Sequence, residues 1–309
     1  MSAARAVVFG YHDVGVRCLQ TLISGGVDVP LVVTVADDPH ETQWFGSMAS
    51  TAAECGIDVI MPANVNTPEV EGRIADLQPD FIFSFYYRSM LGAPLLNIAR
   101  RGALNMHGSL LPKYRGRAPV NWAILRGERL TGATLHYMVE RADAGEIVDQ
   151  LAVPILQNDD AREVFAKVTV AAEIILARSL PGLIAGTAPR IAQPIEPGQY
   201  FGRRRPEDGW IDWTGSAEQI HNLVRAVAPP FPGAYADVGD QRWFIHKTRV
   251  AARTASPSAQ ARLISVDGQC YVECCDGSVL HLIKVASVDG PLNLRGLAAA
   301  LVKHPRVLG

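Results

Sequence analysis

The chain has 309 residues, of which 48% are hydrophobic and 19% charged, with a formal net charge of −2. This composition excludes a disordered or fibrous chain, and the charge excludes a protein that coats nucleic acid by bulk electrostatics. The length accommodates two domains, each with its own core.

The N-terminal apolar run, Ala6 to Phe9, is too short for a signal-peptide core, and no later stretch reads as long enough to span a bilayer. A cytoplasmic protein without membrane insertion is expected. Five cysteines (Cys18, Cys55, Cys270, Cys274 and Cys275) are an odd number, and the adjacent pair would point to opposite faces of a strand. Buried, reduced thiols are expected.

In chain order, RAVVFG (residues 5–10) reads as a buried strand, and VGVRCLQTLISGG (14–26) as a helix stopped by Gly-Gly. The alternation continues with PLVVTVA as strand, WFGSMASTAAEC as helix and IDVIM as strand. TPEVEGRIADL then reads as helix and DFIFSFYY as strand. Apolar runs alternating with helices imply a Rossmann-like, doubly wound, mostly parallel α/β sheet. Ligands of such sheets bind beyond the carboxyl ends of the strands, so YHDVG, SFYYRSML and the stretch after GALNMH should face one crevice. GYHDVG lacks the glycine pattern of a dinucleotide fingerprint, so NAD is not expected.

A long helix is predicted over DDAREVFAKVTVAAEIILARSL, with Val164, Val168, Ala172, Ile175 and Ser179 at helical spacing and Asp159 and Asp160 as caps. Pro189, Pro194, Pro197 and Pro206 then mark an extended linker. After one more helix, SAEQIHNLVRAV, come short alternating runs (GAYADV, QRWFIHK, ARLISV, CYVECC and SVLHLIKV) separated by turn signals. These predict a small antiparallel barrel of OB-like type. The expected boundaries are 1–187 for the catalytic domain, 188–206 for the linker and 207–309 for the barrel-like domain.

The stretch NMHGSLLPKYRGRAP places Asn105 and His107 on one face at the end of a predicted strand. TGATLHYMVERADAGEIV offers a second strand ending in a turn with Asp143, which reaches His107 if the two strands are neighbours. An amide donor can stabilise an oxyanion, an imidazole can move a proton, and a carboxylate hydrogen-bonded to the imidazole favours its charged form. Each residue taken singly also fits a structural role. A metal site of His107, His136 and Asp143 has no ligand spacing to recommend it, and Ser109 lacks the setting of a nucleophile. Lys113 and Arg115 read equally as a solvated loop or, with Arg117, as groups favouring anionic substrates.

NMHGSLLPKYRG followed by TGATLH and DAG resembles the signature of the folate-dependent formyltransferases. That family includes glycinamide ribonucleotide, methionyl-tRNA and nucleotide-sugar formyltransferases and the formyltetrahydrofolate hydrolases. The resemblance implies transfer of a formyl group from 10-formyltetrahydrofolate to an amine, with no metal. It implies that Asn105 holds the oxyanion, that His107 is general acid and base, and that Asp143 favours protonation of His107. It further implies folate contacts from Ser89, Met90, Leu91, Arg117, Val139, Glu140, Arg141, Ala142 and Asp143.

The stretches VVFGYHDVG, FSFYYR, HGSLLPKYRGRAPVNW, FGRRRPEDGWIDW and HNLVRAVAPPFPGAY are similar, in the same order, to family members that formylate UDP-4-amino-4-deoxy-L-arabinose, a step of lipid A modification and polymyxin resistance. From Phe201 onward thirteen Lys plus Arg face ten Asp plus Glu, a thin surplus for neutralising tRNA phosphates. A nucleotide sugar is therefore the expected partner beside folate, with methionyl-tRNA as the alternative acceptor. Arg203 and Arg204 in the GRRR run are candidates for a diphosphate, or a solvated patch. Tyr11 and His12 lie where a nucleotide reaches, or serve structure. No second Rossmann pattern follows, so formyltransferase activity alone is expected.

Overall fold

In the computed structural model, which describes residues 3–37, 42–196, 200–302 and 304–308, the apolar runs of the first half become parallel strands. They are β1 (Arg5–Gly10), α1 (His12–Ser24), β2 (Asp28–Val33), α2 (Met48–Glu54), β3 (Asp58–Ile60), α3 (Pro68–Asp76) and β4 (Phe81–Phe85). Then follow α4 (Ala93–Leu96), β5 (Gly102–His107), β6 (Arg115–Gly116), α5 (Pro119–Leu125), β7 (Leu130–Tyr137) and β8 (Ile147–Pro154). After α6 (Ala161–Ala185) comes the short β9 (Tyr200–Phe201), which pairs with β6.

The sheet order is β3-β2-β1-β4-β5-β7-β8. β1 to β5 are mutually parallel, whereas β7 and β8 run antiparallel. The order reverses between β1 and β4, the position at which doubly wound sheets open a ligand crevice. Phe9, Leu31, Val33, Ile74, Ile82, Leu91 and Leu95 fill the core on one side.

Local chemistry sets the boundaries. α2 starts at Met48 rather than Trp44 because Ser47 caps it, accepting from the Ser50 N–H. α3 begins with Pro68 behind the capping Thr67. At the start of α6, Asp160 accepts from Glu163 N–H while Glu163 accepts from Asp160 N–H, a reciprocal cap. This helix extends to Ala185, beyond the expected Leu180. Contrary to the sequence expectation, it is long and apolar enough to cross a membrane, by length and composition. Val164, Val168, Ala172, Ile175 and Leu176 nevertheless bury one of its faces in the fold.

The second half contains α7 (Ala217–Ala226), β10 (Ala234–Val238), β11 (Gln241–Thr254), β12 (Ala261–Val266), β13 (Gln269–Glu273) and β14 (Ser278–Ser287). β15 (Gly290–Pro291), α8 (Leu294–Leu301) and β16 (Arg306–Leu308) complete it. The strands form a curled antiparallel sheet in the order β10-β11-β14-β13-β12-β16, the half-barrel form of the expected barrel. The fourteen-residue β11 carries three register irregularities along β14, which lets one strand bend around the curl.

The chain divides into two compact units. One comprises Met1–Pro119, Leu130–Pro154 and Ala166–Gly202, and the other Val120–Arg129, Ile155–Phe165 and Arg203–Gly309. Of the expected linker, Pro197 lies outside the described residues. Ile191 is hydrogen-bonded on both sides to Ile147. All five cysteines are free, but Cys55, at the end of α2, is exposed rather than buried.

Candidate active site

β5 ends in Asn105 and His107, and its antiparallel neighbour β7 places His136 directly opposite Asn105. The loop from β7 to β8 then returns Asp143 to the same place. Asp143 Oδ1 lies 3.5 Å from His107 Nδ1 and 3.5 Å from Asn105 Nδ2. Its other oxygen accepts from the Gly116 N–H at 2.8 Å. The three residues singled out from sequence therefore converge, with His107 6% exposed and the Asp143 side chain 14% exposed.

Each contact constrains a proton. His107 Nε2 lies 2.9 Å from the Tyr114 carbonyl, which only accepts, so that nitrogen donates. Its other nitrogen faces the Asp143 carboxylate at 3.5 Å, so both sides of the ring meet oxygen atoms. Burial opposes ionisation of Asp143. The nearby His107 and His136 rings and the Gly116 N–H outweigh burial and hold the carboxyl well below its usual range.

From the sequence, His136 stands out only as a candidate metal ligand with His107 and Asp143. The structure gives it another place: its Nδ1 donates to the Tyr137 carbonyl at 2.8 Å, and its Nε2 sits 3.1 Å from Asn105 Nδ2. It thus anchors one N–H of the Asn105 amide and leaves the second held only by the long 3.5 Å contact to Asp143, available to a developing oxyanion. The TGATLH alternation carried this signal, but only the β5–β7 register reveals it. Among the described residues, no group of three or more His, Cys, Asp or Glu side chains is placed to hold a metal ion.

Ser109 is fully buried and donates to the Lys113 carbonyl at 2.6 Å, a turn-forming role. Thr134 donates to the Ser109 carbonyl at 2.6 Å and accepts from the Leu111 N–H at 3.1 Å. Gln150 of β8 donates to both the Leu111 carbonyl and Thr134 Oγ1 at 2.9 Å. Leu111 to Arg117 do not form one solvated basic loop: Lys113 and Arg117 are exposed, but Arg115 is 2% exposed. Asp143 and Arg141 both act on the Arg115 guanidinium, whose Nε is buried without a hydrogen-bond partner.

Ser89 and Met90 are exposed on the loop after β4, and Asn66 pins that loop by bonding the Met90 carbonyl and the Gly92 N–H. Leu91 is buried in the core, so its side chain is committed there. Val139, Glu140 and Arg141 are exposed and Ala142 is half-buried on the loop that carries Asp143. Val139 and Glu140 line a cavity of about 740 Å³ together with Ala93, Leu96, Ala103 and Met138. Ser89, Met90, Leu91 and Arg117 do not line it.

Tyr11 and His12 follow β1. His12 holds φ +65°, stacks on Phe45 at 3.9 Å and accepts from the Asp13 N–H at 2.9 Å. Burial and the nearby Arg88 cation push its pKa down to about 3, so it is neutral at pH 7. Tyr11 donates to Asp37 at 3.0 Å beneath the Arg88 guanidinium. Arg203 is exposed, whereas Arg204 lies 4.9 Å over the Trp122 ring and donates to the Asp208 carbonyl at 2.8 Å.

Several solved structures share this fold. One is the N-formyltransferase from Helicobacter canadensis in complex with folinic acid and dTDP-3-aminofucose. It is 21% identical, with 90% of this chain and 98% of that one covered and a TM-score of 0.72. WlaRD, a sugar 3N-formyl transferase solved in the presence of dTDP and 5-N-formyl-THF, is 19% identical, with 95% and 99% covered and a TM-score of 0.70. A 4-N formyltransferase from Francisella tularensis is 20% identical, with 76% and 93% covered and a TM-score of 0.61. At these identities the likeness is one of fold. Residues 204–290 match the model described as formyl transferase, C-terminal domain, and residues 4–180, more than half of the chain, match the formyl transferase model. The chain belongs to the formyl transferase family.

Proposed function

We propose that this protein transfers the formyl group of 10-formyltetrahydrofolate to the amine of a nucleotide sugar, with UDP-4-amino-4-deoxy-L-arabinose as the acceptor. The observation that carries the reading is the convergence of Asn105 and His107 on Asp143, each at 3.5 Å from one of its carboxylate oxygens.

The acceptor nitrogen attacks the formyl carbon, and the carbonyl oxygen becomes an oxyanion that takes the second N–H of Asn105. A C–N bond to the acceptor forms, the bond from carbon to N10 of the folate breaks, and the proton lost by the acceptor ends on N10. His107 carries that proton on Nδ1, the ring nitrogen beside the ionised Asp143, while Nε2 stays bonded to the Tyr114 carbonyl. The 740 Å³ cavity carries Arg100, Arg101, Glu146 and Arg190 beside Ala93, Leu96, Ala103 and Met138, and none of Asn105, His107 and Asp143 lines it, so the formyl donor is assigned to the catalytic residues and not to that cavity. Folinic acid and 5-N-formyl-THF in the structural neighbours support a folate in this role.

The acceptor class is supported by the dTDP-sugar and dTDP of those same neighbours. The narrower choice of sugar rests on similarity to the formyltransferase domain of ArnA, which runs from VVFGYHDVG through HNLVRAVAPPFPGAY. Arg204 is engaged by Trp122 and Asp208, whereas Arg203 is exposed, so Arg203 is the candidate retained for a phosphate contact.

The test offers 10-formyltetrahydrofolate with UDP-4-amino-4-deoxy-L-arabinose, a dTDP-amino sugar or initiator methionyl-tRNA, and follows the formylated product by mass. Formylation of the UDP sugar is expected. Formylation of the tRNA alone overturns the acceptor assignment.

A further inference from the structure

We propose that Gln193 is a positioning residue that holds the loop bearing Asp143 in register with His107; this rests on the reading above that Asp143 acts in formyl transfer. The loop between β7 and β8 needs such support. Asp143 sits at φ +52°, a left-handed conformation that a residue with a Cβ adopts at a cost. Within the loop, the bond from Ala144 N–H to the Arg141 carbonyl is long, at 3.3 Å.

Gln193 supplies what the loop lacks. Its Nε2 donates to the carbonyls of Asp143 at 3.2 Å and Gly145 at 2.6 Å, so one amide group straddles Ala144 and uses both hydrogens. The orientation is unambiguous, because an oxygen in that place would face two carbonyl oxygens. Gly145 is itself pressed against the Tyr137 carbonyl, where a Cβ would collide. The grip therefore falls on the tightest point of the loop.

The short segment that delivers Gln193 is fastened as well. Ile191 and Ile147 exchange backbone hydrogen bonds at 2.8 and 2.9 Å. The Arg190 guanidinium lies 3.8 Å over the Tyr137 ring and 3.1 Å from Glu146. Three successive attachments thus bind residues 190–193 to the two ends of the Asp143 loop. Gln193 Oε1 is buried without a hydrogen-bond partner, so the side chain forgoes one bond to keep its N–H groups on the loop.

Losing this grip lets the Asp143 carboxylate drift from the imidazole, and a misplacement of about 1 Å is enough to cost up to about a hundredfold in rate. The experiment compares Gln193→Met, which keeps length but no donor, Gln193→Lys, which restores a donor, and Gln193→Glu, which sets a carboxylate against two carbonyls. Asp143→Asn is the reference. In formyl transfer from 10-formyltetrahydrofolate, Q193M is expected to lose on the order of tenfold to a hundredfold in kcat. The acceptor KM should change little, and the pH profile should move toward that of D143N, while Q193K retains most of the rate.

Wild-type kcat and pH profile in Q193M, alongside an impaired D143N, overturn the proposal and leave the role of Asp143 standing. Wild-type turnover in D143N instead overturns the reading on which the proposal rests. If Q193M fails to fold, equal rates for Q193K and Q193E overturn the proposal, and a clear advantage of Q193K upholds it.

Discussion

His12 and His107 occupy comparable places in one sheet, each at or just past the carboxyl end of a parallel strand, and both are buried. Their surroundings differ in which charge is close. His12 is stacked on Phe45 with the Arg88 cation nearby, so its pKa falls to about 3 and it stays neutral. His107 has a carbonyl on one ring nitrogen and an ionised carboxylate beside the other. Burial alone therefore does not make a proton carrier of an imidazole; the acceptors around it decide.

The largest effect should come from removing the proposed proton carrier. His107→Ala is expected to lower kcat by about 10²- to 10⁴-fold with folate binding retained. Wild-type turnover in H107A would erase the contrast between the two histidines. Asn105→Ala should cost about 10²- to 10³-fold in kcat, the usual loss for one oxyanion donor. Steady-state kinetics that place its whole effect in the folate KM would remove it from the chemical step.

Changes at His12 should act on stability instead. Because its native pKa lies below the ordinary 6.5, the unfolded chain takes up a proton that the folded one does not as pH falls. Stability is then lost between pH 6.5 and about pH 3, at about 1.4 kcal/mol per pH step, and no further below that window. His12→Asn, which tolerates positive φ, should flatten this dependence in denaturant titrations while leaving kcat unchanged. Asp143 has the opposite sign: its ionised form contributes stability above the ordinary carboxylate range, and the contribution fades as pH falls toward its depressed native pKa. The smallest change is expected from Arg88→Gln. Without that cation His12 should titrate at a somewhat higher pH, seen as a shifted midpoint of its ring-proton resonance.

The parallel half was legible because strands buried on both faces spell continuous apolar runs, as in RAVVFG and FIFSF, and helices between them carry caps such as Thr67-Pro68. Elements without periodicity escaped: α4 is four residues long, α5 begins inside a Pro- and Arg-rich loop, and β8 interrupts its apolar residues with Asp149 and Gln150. α8 and β16 lie beyond the last alternating run that the sequence reading used. Asn105 and His107 were readable from strand alternation together with a specific motif. His136 and Gln193 were not, because the importance of each depends on a partner about 30 to 50 positions away, met only through strand register or a folded-back segment.

Thr134 and Gln150 tie the turn from Ser109 to Lys113 to two strands, immediately before the carbonyl that accepts the His107 Nε2–H hydrogen bond. That turn is thereby a fixed jig and not a moving jaw. An insertion within it would displace Tyr114 and misalign the imidazole, so variants with altered amine preference should tolerate added length elsewhere in the chain before they tolerate it there.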